Sequence, residues 1–310
     1  MTSVWHELAA GSVGGMAGIL VGHPADTIKV RQQTLGGSPL ATLRTTLKHE
    51  GTRGLYKGMA FPLVTNGLLN AIYFGAYSGA LRGLDWALGG PAGGGSADRP
   101  PDTGRLFVAG CVGGVAQLVV ATPVDLVKIQ LQTRTEGAGW RAHYTTAARG
   151  PLGCLAELYR RRGVRGWYHG LGAMAGRDVA SFGLYITLYE RASWELRRRA
   201  AVSRRGAALL AGGLAGTAAW LSILPLDVIK SKLQADDPAR PLYRGVVHCA
   251  RLTVLRDGPR ALFAGGTLLA ARAFVVNAVI FLGYECGLEA IHWLEYRPNS
   301  TAVLASSGED

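Results

Sequence analysis

Hydrophobic residues along this chain gather into long stretches, and most of those stretches carry a proline, a charge or both near one end. Leu20 to Arg31 is typical: Pro24, Asp26, Lys29 and Arg31 interrupt a segment that a helix facing only lipid would keep apolar. The pattern predicts long apolar helices that line a wet cavity. Shorter amphipathic stretches fall between them, so the order long helix, short helix, long helix occurs three times and gives six spans.

The elements recur because the sequence repeats. Three blocks match: Pro24-Ala-Asp26-Thr-Ile-Lys29-Val-Arg31-Gln-Gln33, Pro123-Val-Asp125-Leu-Val-Lys128-Ile-Gln130-Leu-Gln132, and Pro225-Leu-Asp227-Val-Ile-Lys230-Ser-Lys232-Leu-Gln234. Their prolines lie 99 and 102 residues apart. Ahead of each proline stand two glycines at GxxxG spacing, Gly11 and Gly15, Gly110 and Gly114, Gly212 and Gly216, where small residues let helices touch. A second landmark follows each block: Glu50-Gly51 to Lys57-Gly58, Arg162-Gly163 to His169-Gly170, and Asp257-Gly258 to Ala264-Gly265. Repeat one is assigned residues 1–97, repeat two 98–200 and repeat three 201–296. The Gly- and Pro-rich stretch Asp85 to Gly104 links the first two, and 297–310 is a polar tail expected to be disordered.

Composition narrows the class. Of 310 residues, 48% are hydrophobic and only 17% charged, with 44 glycines, which disfavours an ordinary soluble enzyme and suits close-packed membrane helices. The net charge of +12 is spread over short loops and helix ends, so an anionic membrane surface is the expected partner and nucleic acid is not. Cys111, Cys154, Cys249 and Cys286 form no CxxC pair and have no His at ligand spacing, so no metal, cofactor or disulfide framework is expected. Without a secretory signal or Arg-rich transit segment before the first apolar stretch, targeting is expected to be internal.

PxDxxK three times at a period near one hundred residues, each followed by the acidic-Gly and aromatic-basic-Gly landmark, resembles the mitochondrial carrier family over nearly the whole chain. The resemblance implies an all-α membrane protein, six transmembrane helices in three tandem pairs with pseudo-threefold symmetry around a central cavity, and three short matrix-side helices. It implies a multi-pass transporter of the mitochondrial inner membrane, not an enzyme, functional as a monomer and in contact with lipids including cardiolipin. Copies two and three depart from the pattern at Gln130, Arg162, His169 and Ala264, which weakens contacts at those corners.

Proline bends a helix by removing a backbone hydrogen bond, so three such helices can converge at one end of a cavity. By resemblance the charges at that end pair across repeats as a matrix gate: Asp26 with Lys128, Asp125 with Lys230, Asp227 with Lys29. Gln33, Gln132 and Gln234, one turn beyond each lysine, are placed to brace the pairs by hydrogen bonding. Solvated pairs contribute only ~0–1 kcal/mol each, which suits a latch that must open. The family pattern for an outer gate is incomplete at Tyr77-Ser78 to Leu81, Tyr189-Glu190 to Ser193 and Tyr284-Glu285 to Leu288, implying a weak outer closure and net transport.

Three helical turns deeper than those tyrosines lie Thr65 and Asn66, Arg177 and Asp178, and Arg272 with Ala273. Intramembrane charges are costly and usually functional. Arg177 and Asp178 either neutralise each other or serve a ligand; Arg272 is left without a partner and suits a substrate carboxylate, while Asp178 suits a cationic head group. Trp220 offers an aromatic face for an alkylated ammonium, against interfacial packing as the plainer role, and His23 is either a cavity residue or a neutral hydrogen-bonded one. This set is similar to the carnitine/acylcarnitine branch of that family, with solute carrier family 25 members 45, 47 and 48. The resemblance implies carnitine esters, methylated amino acids or choline-like compounds, with an ornithine-type basic amino acid carrier as the alternative. Two readings from other classes are a non-transporting scaffold and a dinucleotide enzyme suggested by Gly170-Leu-Gly172-Ala-Met-Ala-Gly176, whose glycines lack any βαβ setting.

Overall fold

The computed structural model describes residues 4–89, 102–133, 150–199, 204–236 and 241–295. The expected boundaries at 97/98 and 200/201, most of the Asp85 to Gly104 linker and the tail 297–310 lie outside the described residues. The first repeat holds α1 (Val4–Leu35), α2 (Pro39–Glu50) and α3 (Ala60–Leu88). The second holds α4 (Thr103–Gln132), α5 (Pro151–Arg162), the single turn α6 (Val164–Trp167) and α7 (Leu171–Arg199). The third holds α8 (Arg204–Ser222), α9 (Leu224–Ala235), α10 (Val246–Asp257) and α11 (Gly266–Glu295). Short 3₁₀ turns, Thr52–Tyr56 and Pro259–Phe263, precede α3 and α11. No strand occurs among the described residues.

Among those residues, two helical stretches, Thr52–Leu88 and Thr103–Gln132, are long and apolar enough to cross a membrane, and the bent pair Leu210–Ser222 with Leu224–Ala235 qualifies as one broken span. The long helix α7 is more polar for a visible reason: it carries Arg177, Asp178, Glu190, Arg191 and Glu195. On α4 an apolar stripe of Val108, Val112, Val115 and Val119 is exposed.

The repeated prolines act differently. Pro24 and Pro123 lie inside continuous helices, whereas in the third copy the chain breaks at Ile223 into two helices 61° apart, with Pro225 in the first turn of α9. A proline strands the carbonyl four residues earlier. For Pro123 that is Val119, whose oxygen accepts from the Tyr168 hydroxyl at 3.1 Å; the matching position in copy three is Phe263, which has no hydroxyl to offer.

The chain divides into two compact units, Met1–Gly22 with Val275–Asp310, and His23–Phe274. In the first, Gly14 and Gly18 make the close approach, a Cβ on Gly14 falling 2.5 Å from the Ile280 carbonyl oxygen; Gly11 meets open space. In the second, Gly110 and Gly114 carry the expected contact, with α7 backbone about Gly183 and Val179 as close as 3.0 and 3.2 Å to an added Cβ. Gly212 and Gly216 meet only the rings of Tyr189 and Tyr185 at ordinary distances, so the tight crossing falls at the expected GxxxG pair in copy two, at the pair three residues later in copy one, and not at the expected pair in copy three.

Within His23–Phe274 the short helices pack on the kinked ones. Cys154 and Leu158 of α5 close over Leu126, Val127 and Leu131, and Cys249 of α10 closes over Ile229 and Leu233. The landmark glycines reach across repeats: an added Cβ would stand 2.9 Å from the Lys128 carbonyl oxygen at Gly58, 2.9 Å from Gln234 at Gly170 and 3.0 Å from Lys29 at Gly265. All three sit at positive φ, where glycine is unstrained. Their contacts run cyclically, repeat one on two, two on three, three on one.

Candidate functional site

The three proline-bearing helices bring their acidic and basic residues together. Lys128 Nζ lies 2.9 Å from Asp26 Oδ2, Lys230 Nζ 2.5 Å from Asp125 Oδ2, and Lys29 Nζ 2.7 Å from Asp227 Oδ2, the same cyclic order as the glycine contacts. The pairs are buried to different degrees: Lys29 and Asp227 are 10% and 5% exposed, Lys230 is 2% exposed against 29% for Asp125, and Lys128 and Asp26 are 19% and 15% exposed. The surface-pair value is therefore the wrong scale. Removing one partner from a buried pair strands the other charge at a cost of ~3–5 kcal/mol.

Two arginines join the ring. Arg177 Nη1 donates to Asp227 Oδ1 at 3.1 Å, Nη2 stands 3.7 Å from Asp125 Oδ2, and Nε donates to Asp178 Oδ1. Its guanidinium lies over the Trp220 ring, 5.5 Å from the centroid. Arg272 Nε stands 2.7 Å from Asp26 Oδ1, an ion contact whose N–H is poorly aligned for a hydrogen bond. The expectation of a partnerless Arg272 is thus corrected, because the partner comes from another repeat. Five cations and four carboxylates thus form two ion networks, Arg272–Asp26–Lys128 and the larger one centred on Arg177 with Asp178, Asp227, Lys29, Asp125 and Lys230.

A cavity of about 220 Å³ opens on this cluster, lined by Arg177, Trp220, Arg272, Leu269 and the paired charges. Of the other expected substrate contacts, Asp178 is buried behind Arg177 and not open to a ligand. Thr65 turns its hydroxyl back to the Phe61 carbonyl at 2.8 Å, and neither it nor Asn66 is among the lining residues. His23 is buried away from the cavity, Nε2 2.9 Å from the Lys57 carbonyl oxygen, its ring stacked on Tyr56. Trp220 does line the cavity, but the face expected to take an ammonium ligand is covered by Arg177.

The glutamines diverge. Gln33 Nε2 donates to Asp227 Oδ2 at 3.0 Å and braces its pair; Gln132 turns to the Thr27 hydroxyl at 3.1 Å, and Gln234 to Met174 Sδ at 3.6 Å. Three further pairs escaped the reading of the sequence. Arg31 and Lys57 both contact Glu50 Oε2 at 2.8 Å, and Lys232 contacts Asp257 at 2.9 Å; the Arg31 and Lys232 pairs pin short helices to the proline-bearing ones. The signal was present: in copy two the basic position is Gln130 and the acidic one Arg162, so both halves of one pair are lost together. Gln130 instead donates to the carbonyls of Gln234 at 2.7 Å and Asp236 at 3.2 Å.

Proline-bearing helices in three copies, cyclic ion pairs and a charged cavity are the features of a membrane solute carrier. The chain belongs to the mitochondrial carrier protein family, whose model matches residues 1–85, 100–199 and 203–292. It is 35% identical to human solute carrier family 25 member 45 over 281 residues, 90% of this chain and 96% of that protein. It is 36% identical to human member 48 over 298 residues, 92% and 95% of the two chains. The mitochondrial arginine transporter BAC2 of Arabidopsis thaliana is 36% identical over 295 residues, 94% and 93%.

Proposed function

We propose that this carrier spans the mitochondrial inner membrane six times, pseudo-threefold about its cavity, and moves a small zwitterionic or quaternary-ammonium metabolite by alternating access. Carnitine and its esters, methylated amino acids and choline-like compounds make up the class. The carrying observation is the convergence of Arg177, Arg272 and Trp220 on one cavity directly over three Asp–Lys pairs. In this reading the pairs are the matrix gate, closed in the conformation described, and Gln33 strengthens it. The volume is below that usual for drug-sized ligands, which argues against a nucleotide. The bare valine stripe of α4 faces lipid, anionic lipids such as cardiolipin meet the basic short helices, and the monomer is the working unit because each repeat supplies part of one cavity.

A basic amino acid is the second reading, favoured by the similarity to a protein named as an arginine transporter. Thermal-shift measurements on the purified chain with carnitine, acylcarnitines, choline, trimethyllysine, ornithine and ATP separate these, since a ligand stabilises the state it occupies. Stabilisation by trimethylammonium compounds is expected. Stabilisation by ornithine alone selects the second reading, and by ATP alone refutes both.

A further inference from the structure

We infer that the end of α7 opposite the gate is a binding site for the headgroup of an anionic phospholipid, built on Trp194 held between Arg191 and Arg198. This goes beyond the substrate reading and needs only that α7 crosses the bilayer.

The helix itself sets the level. From Val179 to Leu188 α7 carries no charge, and from Glu190 onward charges crowd in. Trp194 lies about 35 Å along the axis from Leu171, at ~1.5 Å per residue, against a hydrocarbon core about 30 Å thick. A span that begins beside the cavity therefore reaches the opposite membrane surface at this turn. Tyr189 and Trp194 are the residue types that anchor a helix there.

The geometry makes the turn a prepared site. Arg191, Trp194 and Arg198 share one helix face, and the guanidinium carbons of the two arginines lie 5.4 and 5.1 Å from the centroid of the Trp194 ring. Trp194 is buried while both arginines are exposed. A guanidinium lying on a ring still directs its N–H edges outward, in the fork that matches phosphate oxygens. The ring also holds each arginine in place, which reduces the side-chain entropy that makes surface charges weak binders. Little within the protein competes for them. Arg191 stands 3.8 Å from Glu195, and Arg198 makes no ion pair among the described residues. Trp194 Nε1 and Ser193 Oγ are buried without a hydrogen-bond partner, so the same turn carries two unmet polar groups besides.

Charge selects the ligand. From Glu190 to Arg205 the sequence holds six arginines, Arg191, Arg197, Arg198, Arg199, Arg204 and Arg205, against Glu190 and Glu195, four positive charges in excess. The connection between α3 and α4 has no such excess: Arg99 lies between Asp98 and Asp102. The excess therefore belongs to one corner. A phosphatidylcholine headgroup brings its own cation and gains nothing from it, whereas an anionic phosphodiester cancels part of it. A lipid is favoured over a soluble anion because its acyl chains hold the phosphate at the depth of the Trp194 turn.

The test is native mass spectrometry of the purified full chain in detergent, titrated with phosphatidylglycerol and, separately, with phosphatidylcholine. An arginine near an anionic surface is worth about fivefold in affinity. Arg191→Gln combined with Arg198→Gln should therefore weaken retention of one phosphatidylglycerol by about twentyfold, leaving phosphatidylcholine unchanged. Trp194→Leu keeps both charges and releases them from the ring, so it should weaken the same lipid roughly threefold or more. Melting curves report whether each variant is folded; Arg198→Gln alone alters only an exposed side chain and should still show the fivefold loss. Unchanged phosphatidylglycerol retention in the folded arginine variants overturns the site. Unchanged retention in folded Trp194→Leu reduces it to diffuse charge and overturns it too. Phosphatidylcholine bound as tightly as phosphatidylglycerol, or inorganic phosphate displacing the lipid at equal concentration, overturns the assignment to an anionic lipid. Each of these leaves the carrier reading standing.

Discussion

Replacing Asp227 by Asn tests the ring where it is most concentrated. Asp227 Oδ2 receives Lys29 at 2.7 Å and Gln33 at 3.0 Å, and Oδ1 receives Arg177 at 3.1 Å. Asn keeps the shape, so the loss is electrostatic: five cations would face three carboxylates, and the Asn amide would turn an N–H toward one of the donors. Stranding a buried charge costs ~3–5 kcal/mol, which lowers the melting temperature of a chain this size by roughly 5–8 °C. Asp26→Asn should cost less, since Asp26 is more exposed and its second cation is misaligned. Lys29→Gln combined with Asp227→Asn should cost less than the sum of the two single changes by about 0.5–3 kcal/mol. Melting curves in detergent decide this. An Asp227→Asn protein that melts with wild type, or above Asp26→Asn, refutes the buried-ring account.

Three other outcomes follow from the same contacts. Gln130→Arg alone should destabilise by about 3 kcal/mol, because the new charge is buried with no carboxylate near Arg162; adding Arg162→Glu should restore most of it, as read by melting temperature. Tyr168→Phe should cost about 1 kcal/mol by stranding the Val119 carbonyl, while Phe263→Tyr should not be destabilising by more than a few tenths, both by denaturant or thermal titration. Burial, then Arg162, depresses the pKa of His169 below its usual 6.5, so the neutral form belongs to the folded state. Its contribution is complete above about pH 6.5 and is lost as pH falls toward the lowered value; a melting-temperature profile should flatten there in His169→Gln.

The acid–base pairing was legible because PxDxxK fixes both charges on one helical face at one depth, and three copies turn one face into a ring. Depth alone did not say which side chains reach the cavity. Thr65, Asn66 and His23 lie at suitable levels along their helices, yet His23 turns toward the Lys57 carbonyl and Thr65 bonds its own helix. The glutamines make the point more sharply. Gln33, Gln132 and Gln234 hold one repeat position and find three different partners, because Asp227, Thr27 and Met174 are what each neighbouring repeat presents.

Partners across repeats were the harder part. Arg272 looked unpaired when only its own helix was considered, while Asp26 was already assigned to Lys128; a carboxylate with two oxygens serves both, Oδ2 to the lysine and Oδ1 to the arginine. Asp227 does the same with Lys29 and Arg177. The gate and the cavity wall therefore share the same carboxylates, and a ligand that competes for an arginine changes the charge balance of the gate without touching a lysine. That coupling needs the copies to differ: with an arginine at the matching depth in all three repeats, every gate carboxylate could be held from the cavity side. Here the first repeat has Thr65 and Asn66 instead, so Arg177 must span Asp227 and Asp125 while Arg272 holds Asp26 alone, and the ring has one corner weaker than the rest.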